Sequence, residues 1–214
     1  MGSVHLIRHG QASWGSDDYD QLSPLGMQQS ASLGISWEAS EWAPTVAVAG
    51  SLKRHAQTAI ATIDACGQGD GYDIDAGWDE FDHISLARAH DPAALTTDPK
   101  DFQALLNTAI DSWIAGEGGV EGETYQAFVD RVMGAFGAVV PQAGPGRTVA
   151  VFTSGGPIAM VASHLLTGDD SLFQRINDVI VNASVTTIIT GRSGPRLLTL
   201  NEHTHLMRDL VTFR

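Results

Sequence analysis

The chain has 214 residues, with 12 Lys and Arg against 25 Asp and Glu, a formal net charge of −13. Nucleic-acid and anionic-membrane binders present a basic face, so an acidic surplus spread along the chain argues against both as partners. Hydrophobic residues make up 43% and charged residues 17%, enough apolar material for a sizeable core, which excludes disorder as the main state.

In chain order, residues 4–7 form a short apolar run that predicts a buried strand ending at Arg8-His9-Gly10. The run is too short for a signal peptide, and Leu6 breaks the myristoylation pattern. Ser23-Pro24 reads as the N-cap and first turn of a helix over 25–37. Residues 45–49 are a second strand, closing at Gly50-Ser51, and 54–66 a second helix with Ala56, Ala59, Ile60 and Ile63 on one face. Cys66 is the only cysteine, so an intrachain disulfide and a thiol-rich metal site are both excluded, and a reducing, cytoplasmic setting is expected. No stretch approaches the roughly 18 apolar residues of a membrane span.

Residues 76–140 show no strand pattern but hold two helices, about 99–115 and 123–140, separated by Gly116-Glu117-Gly118-Gly119 and read as a helical cap. A third strand over 148–153 ends at Ser154-Gly155-Gly156, and Pro157 opens a helix carrying Ile158, Met160, Val161 and Leu165. Residues 185–190 and 196–200 read as a late hairpin that brings one antiparallel strand to the sheet. The repeated order of strand, turn and helix predicts βαβ units. The expected fold is α/β, a three-layer sandwich with a mostly parallel central sheet, helices on both faces and a helical cap segment. A single domain is expected over 1–214, with the segment 76–140 inserted within it, since no repeat or linker interrupts the chain.

Ligands of open α/β sheets collect outside the carboxyl ends of the strands. There the chain places Arg8-His9-Gly10, the segment 51–54 with Arg54, and Ser154-Gly155-Gly156. Two guanidinium forks, an imidazole and Gly-rich backbone at a helix start match the oxygens of a phosphoryl group.

These residues carry a family likeness. Arg8-His9-Gly10 directly after a strand, with Trp14 beyond it, the stretch Asp20-Gln21-Leu22-Ser23-Pro24-Leu25-Gly26, the block Ser51-Leu52-Lys53-Arg54-His55-Ala56-Gln57-Thr58-Ala59 and the ending Asn201-Glu202-His203-Thr204-His205-Leu206 resemble the histidine phosphatase superfamily, the phosphoglycerate-mutase-like fold. The resemblance runs from residue 4 to about 206. It implies hydrolysis of a phosphomonoester, a small phosphorylated metabolite, through a phosphohistidine. His9 would be the nucleophile, and Arg8 and Arg54 would neutralise the phosphoryl oxygens, where Lys lacks the fork. Gly10 and Gly155 would let backbone approach the phosphate, and Glu80 would protonate the leaving oxygen. The partner it implies is a small-molecule phosphoester or phosphate, with no cofactor and no metal.

Two departures qualify it. Where members commonly read Ser-His-Gly-Gly, this chain reads Thr153-Ser154-Gly155-Gly156, so Ser154 stands in place of a second imidazole. A hydroxyl donates one hydrogen bond but brings no charge, and loss of one such donor costs roughly 10² to 10³ in rate. On the sequence alone, Ser154→His is expected to raise the rate. His83 is a possible compensating residue, as are His203 and His205, while His55 and His164 read as structural. Gly15 stands where the mutases often hold Asn, which argues against a mutase. The alternative to a weakened enzyme is a catalytically silent relative that binds a phosphorylated ligand.

Overall fold

The computed structural model describes residues 1–13, 20–67, 71–91, 99–116 and 122–213. In chain order the elements are β1 (Gly2–Arg8), α1 (Pro24–Ala39), β2 (Val46–Ala49), α2 (Lys53–Cys66), β3 (Asp73–Ile74), α3 (His83–His90), α4 (Pro99–Ile114), α5 (Tyr125–Val139), β4 (Thr148–Thr153), α6 (Gly155–Thr167), α7 (Phe173–Asn177), β5 (Val185–Thr190) and β6 (Arg196–Glu202). The strands form one sheet in the order β3-β2-β4-β1-β5-β6. β3, β2, β4 and β1 are mutually parallel. β5 runs antiparallel to β1 and β6 antiparallel to β5. The fold is α/β with a mostly parallel sheet, as the strand–turn–helix order predicts.

Sequence chemistry sets the element boundaries. The Ser23 hydroxyl accepts from the Gly26 N–H at 3.1 Å and Pro24 starts α1 with a preset φ. α2 stops at Gly67 and α6 at Gly168, both left-handed. Ile7, Ala150 and Phe152 share one sheet face with Leu33 and Trp37 of α1 and Ala59 and Ile63 of α2. Val149 and Val151 point to the opposite face by strand alternation and are fully buried too, so β4 is covered on both sides.

Three elements lie outside the sequence expectation. β3 has only two residues, too few to show a period, and α3 and α7 are helices of eight and five residues. The buried face of α2 also differs from the expected one: Ile60 is 47% exposed, while Arg54, His55, Thr58, Ala59, Thr62, Ile63 and Cys66 are buried. Apolar periodicity misplaces this face because its buried residues are largely polar.

The chain divides into two compact units, Met1–Glu80 with Val132–Arg214, and Phe81–Arg131. The first holds the sheet. The second is built on Phe81, Trp113 and Phe128, whose rings lie 5.1 to 5.6 Å apart, with Arg131 paired to Glu123 at 2.7 Å beside them. It falls inside the span 76–140.

Burial holds four imidazoles, His5, His9, His55 and His205, below their ordinary 6.5, His5 down to about 4. The unfolded chain therefore takes up protons at a pH where the folded chain does not. Their stabilising contribution is complete above about pH 6.5 and is lost as pH falls through the lowered folded values. The urea midpoint is expected to be lower at pH 5 than at pH 7.5, and His5→Gln should flatten part of that slope. Equal midpoints at the two pH values would contradict it.

Candidate active site

Because β1, β2 and β4 are parallel, their carboxyl ends lie along one edge, and the turns after them carry His9, Ser51 and Ser154. The His9 N–H donates to the Thr153 carbonyl at 2.8 Å, which ties the first and third turns together. Its own carbonyl accepts from the Ala183 N–H and the Asn182 side-chain amide, each at 3.2 Å. Asn182 is held in turn by the Thr212 hydroxyl at 2.9 Å, and Gln29 of α1 donates to that hydroxyl oxygen at 2.8 Å.

The His9 ring stands 2.6 Å from the Gly10 carbonyl through Nδ1. A carbonyl only accepts, so the proton resides on Nδ1 and Nε2 carries the lone pair. Burial holds His9 well below its ordinary value, and Arg54, Arg8 and His55 push in the same direction, against a smaller opposing effect of the Gly10 carbonyl. The imidazole is therefore neutral at physiological pH. His9 is only 7% exposed, not solvent-facing as a strand-end position leads one to expect, and the His55 ring centre lies 5.8 Å from its own.

Arg54 lies in the first turn of α2, 6% exposed, with Asp20 accepting from its guanidinium at 2.7 Å. Asp20 also accepts from the Lys53 N–H at 2.9 Å, so the acid fixes both the helix start and the guanidinium. Arg8 donates from one terminal nitrogen to the carbonyls of Ile180 and Phe213, the latter at 2.9 Å. A side chain on Gly155 would come within 4 Å of the Arg8 guanidinium and 2.9 Å from Asn177 Oδ1, so glycine keeps this helix start close to Arg8. Gly10 meets a different constraint: a Cβ there would fall 2.3 Å from the Gly26 carbonyl oxygen, and its N–H donates to Thr58 at 3.1 Å. Glu80 accepts from the Gly156 N–H at 3.1 Å, which seats its carboxylate at the N-terminus of α6.

Ser154 is fully buried, and 2.7 Å from its hydroxyl is the Nε2 of His55, also fully buried. On the far side of that ring, Nδ1 faces Asp79 Oδ1 at 3.7 Å, within ion-pair reach and beyond a hydrogen bond. Asp79 is fixed by the Ser51 N–H at 2.6 Å and the Ser51 hydroxyl at 2.5 Å. Burial pushes Asp79 up, but the facing His55 and the two Ser51 donors outweigh it and hold the carboxyl below its ordinary value. The anion favours the proton on Nδ1, so Nε2 accepts from the Ser154 hydroxyl in the resting site. Gly50 lies over the imidazole–carboxylate gap: a Cβ there would fall 2.2 Å from His55 Nδ1 and 2.7 Å from Asp79 Oδ1. The His9 and His55 ring centres are 5.8 Å apart.

The structure thus brings Arg8, His9, Gly10, Arg54, Glu80, Ser154 and Gly155 into the first compact unit. His83 starts α3 in the second unit, behind the Asp82 cap. His203 bonds the Asn201 carbonyl at 2.6 Å, His164 faces the Met160 carbonyl at 3.1 Å, and neither His203 nor His205 shares a hydrogen bond with His9 or Ser154. Trp14 and Gly15 lie outside the described residues. The imidazole that meets Ser154 is that of His55, which sequence reading treats as structural. Its signal was available: position 55 shares the α2 face of Thr58, Ala59 and Thr62. Among the described residues no group of three or more His, Cys, Asp or Glu has the arrangement of a metal site. No helix of the described residues is long and apolar enough to cross a membrane.

A family model described as "Histidine phosphatase superfamily (branch 1)" matches residues 4–203. No curated protein sequence matches the chain. Among solved structures, a phosphoglycerate mutase from Bacillus anthracis is similar at 17% identity, TM-score 0.69, over 95% of this chain and 94% of that one. A phosphoserine phosphatase mutant from Entamoeba histolytica, in complex with phosphoserine, is similar at 19% identity, TM-score 0.69, over 97% and 100%. A mycobacterial glucosyl-3-phosphoglycerate phosphatase in complex with inorganic phosphate is similar at 22% identity, TM-score 0.67, over 97% and 100%.

Proposed function

The chain belongs to the histidine phosphatase superfamily, and we propose that within it this protein is a phosphomonoester hydrolase acting on a small phosphorylated metabolite through a phosphohistidine at His9. The observation that carries the reading is the His9 ring itself, neutral, protonated on Nδ1 toward Gly10 and flanked by Arg8 and Arg54. A neutral nitrogen with its lone pair beside two guanidinium groups is what attack on an anionic phosphorus requires.

In this mechanism Nε2 of His9 attacks phosphorus as the bond to the leaving oxygen breaks. Arg8 and Arg54 take up the charge on the equatorial oxygens, and the carboxyl of Glu80 gives its proton to the leaving oxygen. Water then attacks the phosphohistidine, its proton returns to Glu80, and phosphate departs. No cofactor is required at any step. Hydrolase is favoured over mutase by Gly15 and Ser154, which remove two contacts a mutase would use to retain and re-orient a phosphorylated intermediate. The single cysteine supports a reducing, cytoplasmic setting.

The test is phosphorylation of the protein by a generic phosphodonor, followed by exposure to acid and to hydroxylamine. A label sensitive to both and missing in His9→Asn is expected, and a protein that binds phosphate but never takes up label is the silent relative instead. Arg54→Ala should weaken phosphate or vanadate binding by about tenfold or more. Glu80→Gln should lose on the order of 10² to 10⁴ with alkyl phosphates, whose leaving oxygen needs a proton, and far less with p-nitrophenyl phosphate. Equal losses on both esters would remove Glu80 from the acid role.

A further inference from the structure

We propose that His55, oriented by Asp79 and acting through the Ser154 hydroxyl, supplies the second imidazole of phosphoryl transfer from helix α2 instead of from the turn after β4. The proposal rests on the phosphatase reading and deepens it: the site has not lost an imidazole, it has moved one.

The geometry makes a continuous line. Ser51 fixes Asp79, Asp79 faces His55 Nδ1 at 3.7 Å, and His55 Nε2 meets the Ser154 hydroxyl at 2.7 Å. His55 and Ser154 are each fully buried, and each satisfies a polar group of the other. Ser154 caps α6 by position, yet its side chain makes no capping bond and turns to His55. The His55 and His9 ring centres are 5.8 Å apart, so the two imidazoles are neighbours.

The groups that face His55 define how it titrates. Burial and Arg54 keep it neutral, against Asp79 and Asp20, which favour the cation, while His9 lies beside it. A bound tetrahedral dianion adds two negative charges nearby and tips this balance. His55 then takes one proton from solvent on Nε2. The imidazolium donates Nε2–H to Ser154 Oγ, and the freed Ser154 O–H turns to donate to a phosphoryl oxygen. One proton is gained on binding, no covalent bond is made or broken at Ser154, and the charge that Ser154 lacks is supplied one residue behind it. His55 is a positioning residue, since only the hydroxyl touches the oxygens.

Sulfate is the clean probe, because it is a tetrahedral dianion that does not itself titrate near neutral pH. Calorimetry at pH 7.5 in two buffers of different ionisation enthalpy reads the protons taken up per sulfate bound. The wild type should take up a measurable fraction of one proton, and His55→Gln, whose amide still bonds Ser154, should take up none. His9→Asn should retain the uptake. Loss of uptake in His9→Asn with retention in His55→Gln would overturn the proposal. So would a wild type that binds sulfate with no proton linkage.

Single-turnover rates on p-nitrophenyl phosphate give an independent reading. His55→Gln should fall by roughly 10² and lose one limb of the pH profile, as Ser154→Ala should. Ser154→His alone should gain nothing, contrary to the sequence expectation, because the new ring enters a buried space already filled by His55. The pair His55→Ala with Ser154→His should recover about tenfold or more over His55→Ala. An acid-stable phosphoenzyme at Ser154 would instead make the serine a nucleophile and overturn the relay. If neither sulfate nor phosphate binds at millimolar concentration, the phosphatase reading falls and the relay with it. Binding without proton linkage discards the relay alone.

Discussion

His9→Ala is expected to abolish turnover, with a loss on the order of 10⁴ to 10⁶ in single-turnover rate, because the neutral lone pair flanked by both Arg8 and Arg54 is lost with the ring. Folding should survive. The variant is not silent in stability, however, since the imidazole is 7% exposed and its Nδ1 is a hydrogen-bond partner of the Gly10 carbonyl. Leaving that carbonyl unsatisfied costs about 1 to 3 kcal/mol. His9→Asn, whose shorter amide offers a donor near the same carbonyl, should recover part of the stability and none of the rate. Urea unfolding beside single-turnover kinetics separates the two effects, and a folded His9→Ala protein with near wild-type turnover would remove His9 as the nucleophile.

Gly10→Ala is expected to be the most damaging small change in the site. The added carbon would fall 2.3, 2.8 and 2.9 Å from three backbone atoms of Gly26, and the converse Gly26→Ala would meet the Gln11 carbonyl oxygen at 2.2 Å. Backbone cannot swing aside as a side-chain tip can. The end of β1 and the start of α1 must separate, at about 3 kcal/mol or more. That separation also moves His9, and a displacement of about 1 Å at a reacting group costs on the order of 10² in rate. A Gly10→Ala protein with unchanged urea midpoint and unchanged sulfate affinity would show that the two segments part easily.

Much of this was legible in the sequence for reasons that can be named. Long elements with a clear period, the helices over 25–37 and 54–66 and the strands ending at Arg8, Ala49 and Thr153, appear within a residue or two of their observed bounds. The parallel order places Arg8, His9, Arg54 and Ser154 at or just past strand ends on the sequence alone. What the sequence hid were contacts without a local period. Glu80 reaches Gly156 across 76 residues, and His55 reaches Ser154 across 99. His55 was the harder to see because a buried polar face on α2 looks, by apolar counting, like the outside of the helix.

The glycine over the His55–Asp79 gap has a consequence for how such a chain can change. With His55 in place, a side chain at position 50 would collide with His55 Nδ1 and Asp79 Oδ1, and a ring at position 154 would have to enter a fully buried space beside His55; with His55 gone, the Ser154 hydroxyl is left buried without its partner. Each single step toward an imidazole at 154 therefore passes through a protein that is either overcrowded or one imidazole short. The three positions form an epistatic set, and relatives are expected to fall into two classes with few intermediates. One class pairs His at 55 with Gly at 50 and a small hydroxyl at 154. The other carries His at 154 with a small residue at 55, and there the approach of Asp79 Oδ1 at 2.7 Å is the constraint left on position 50.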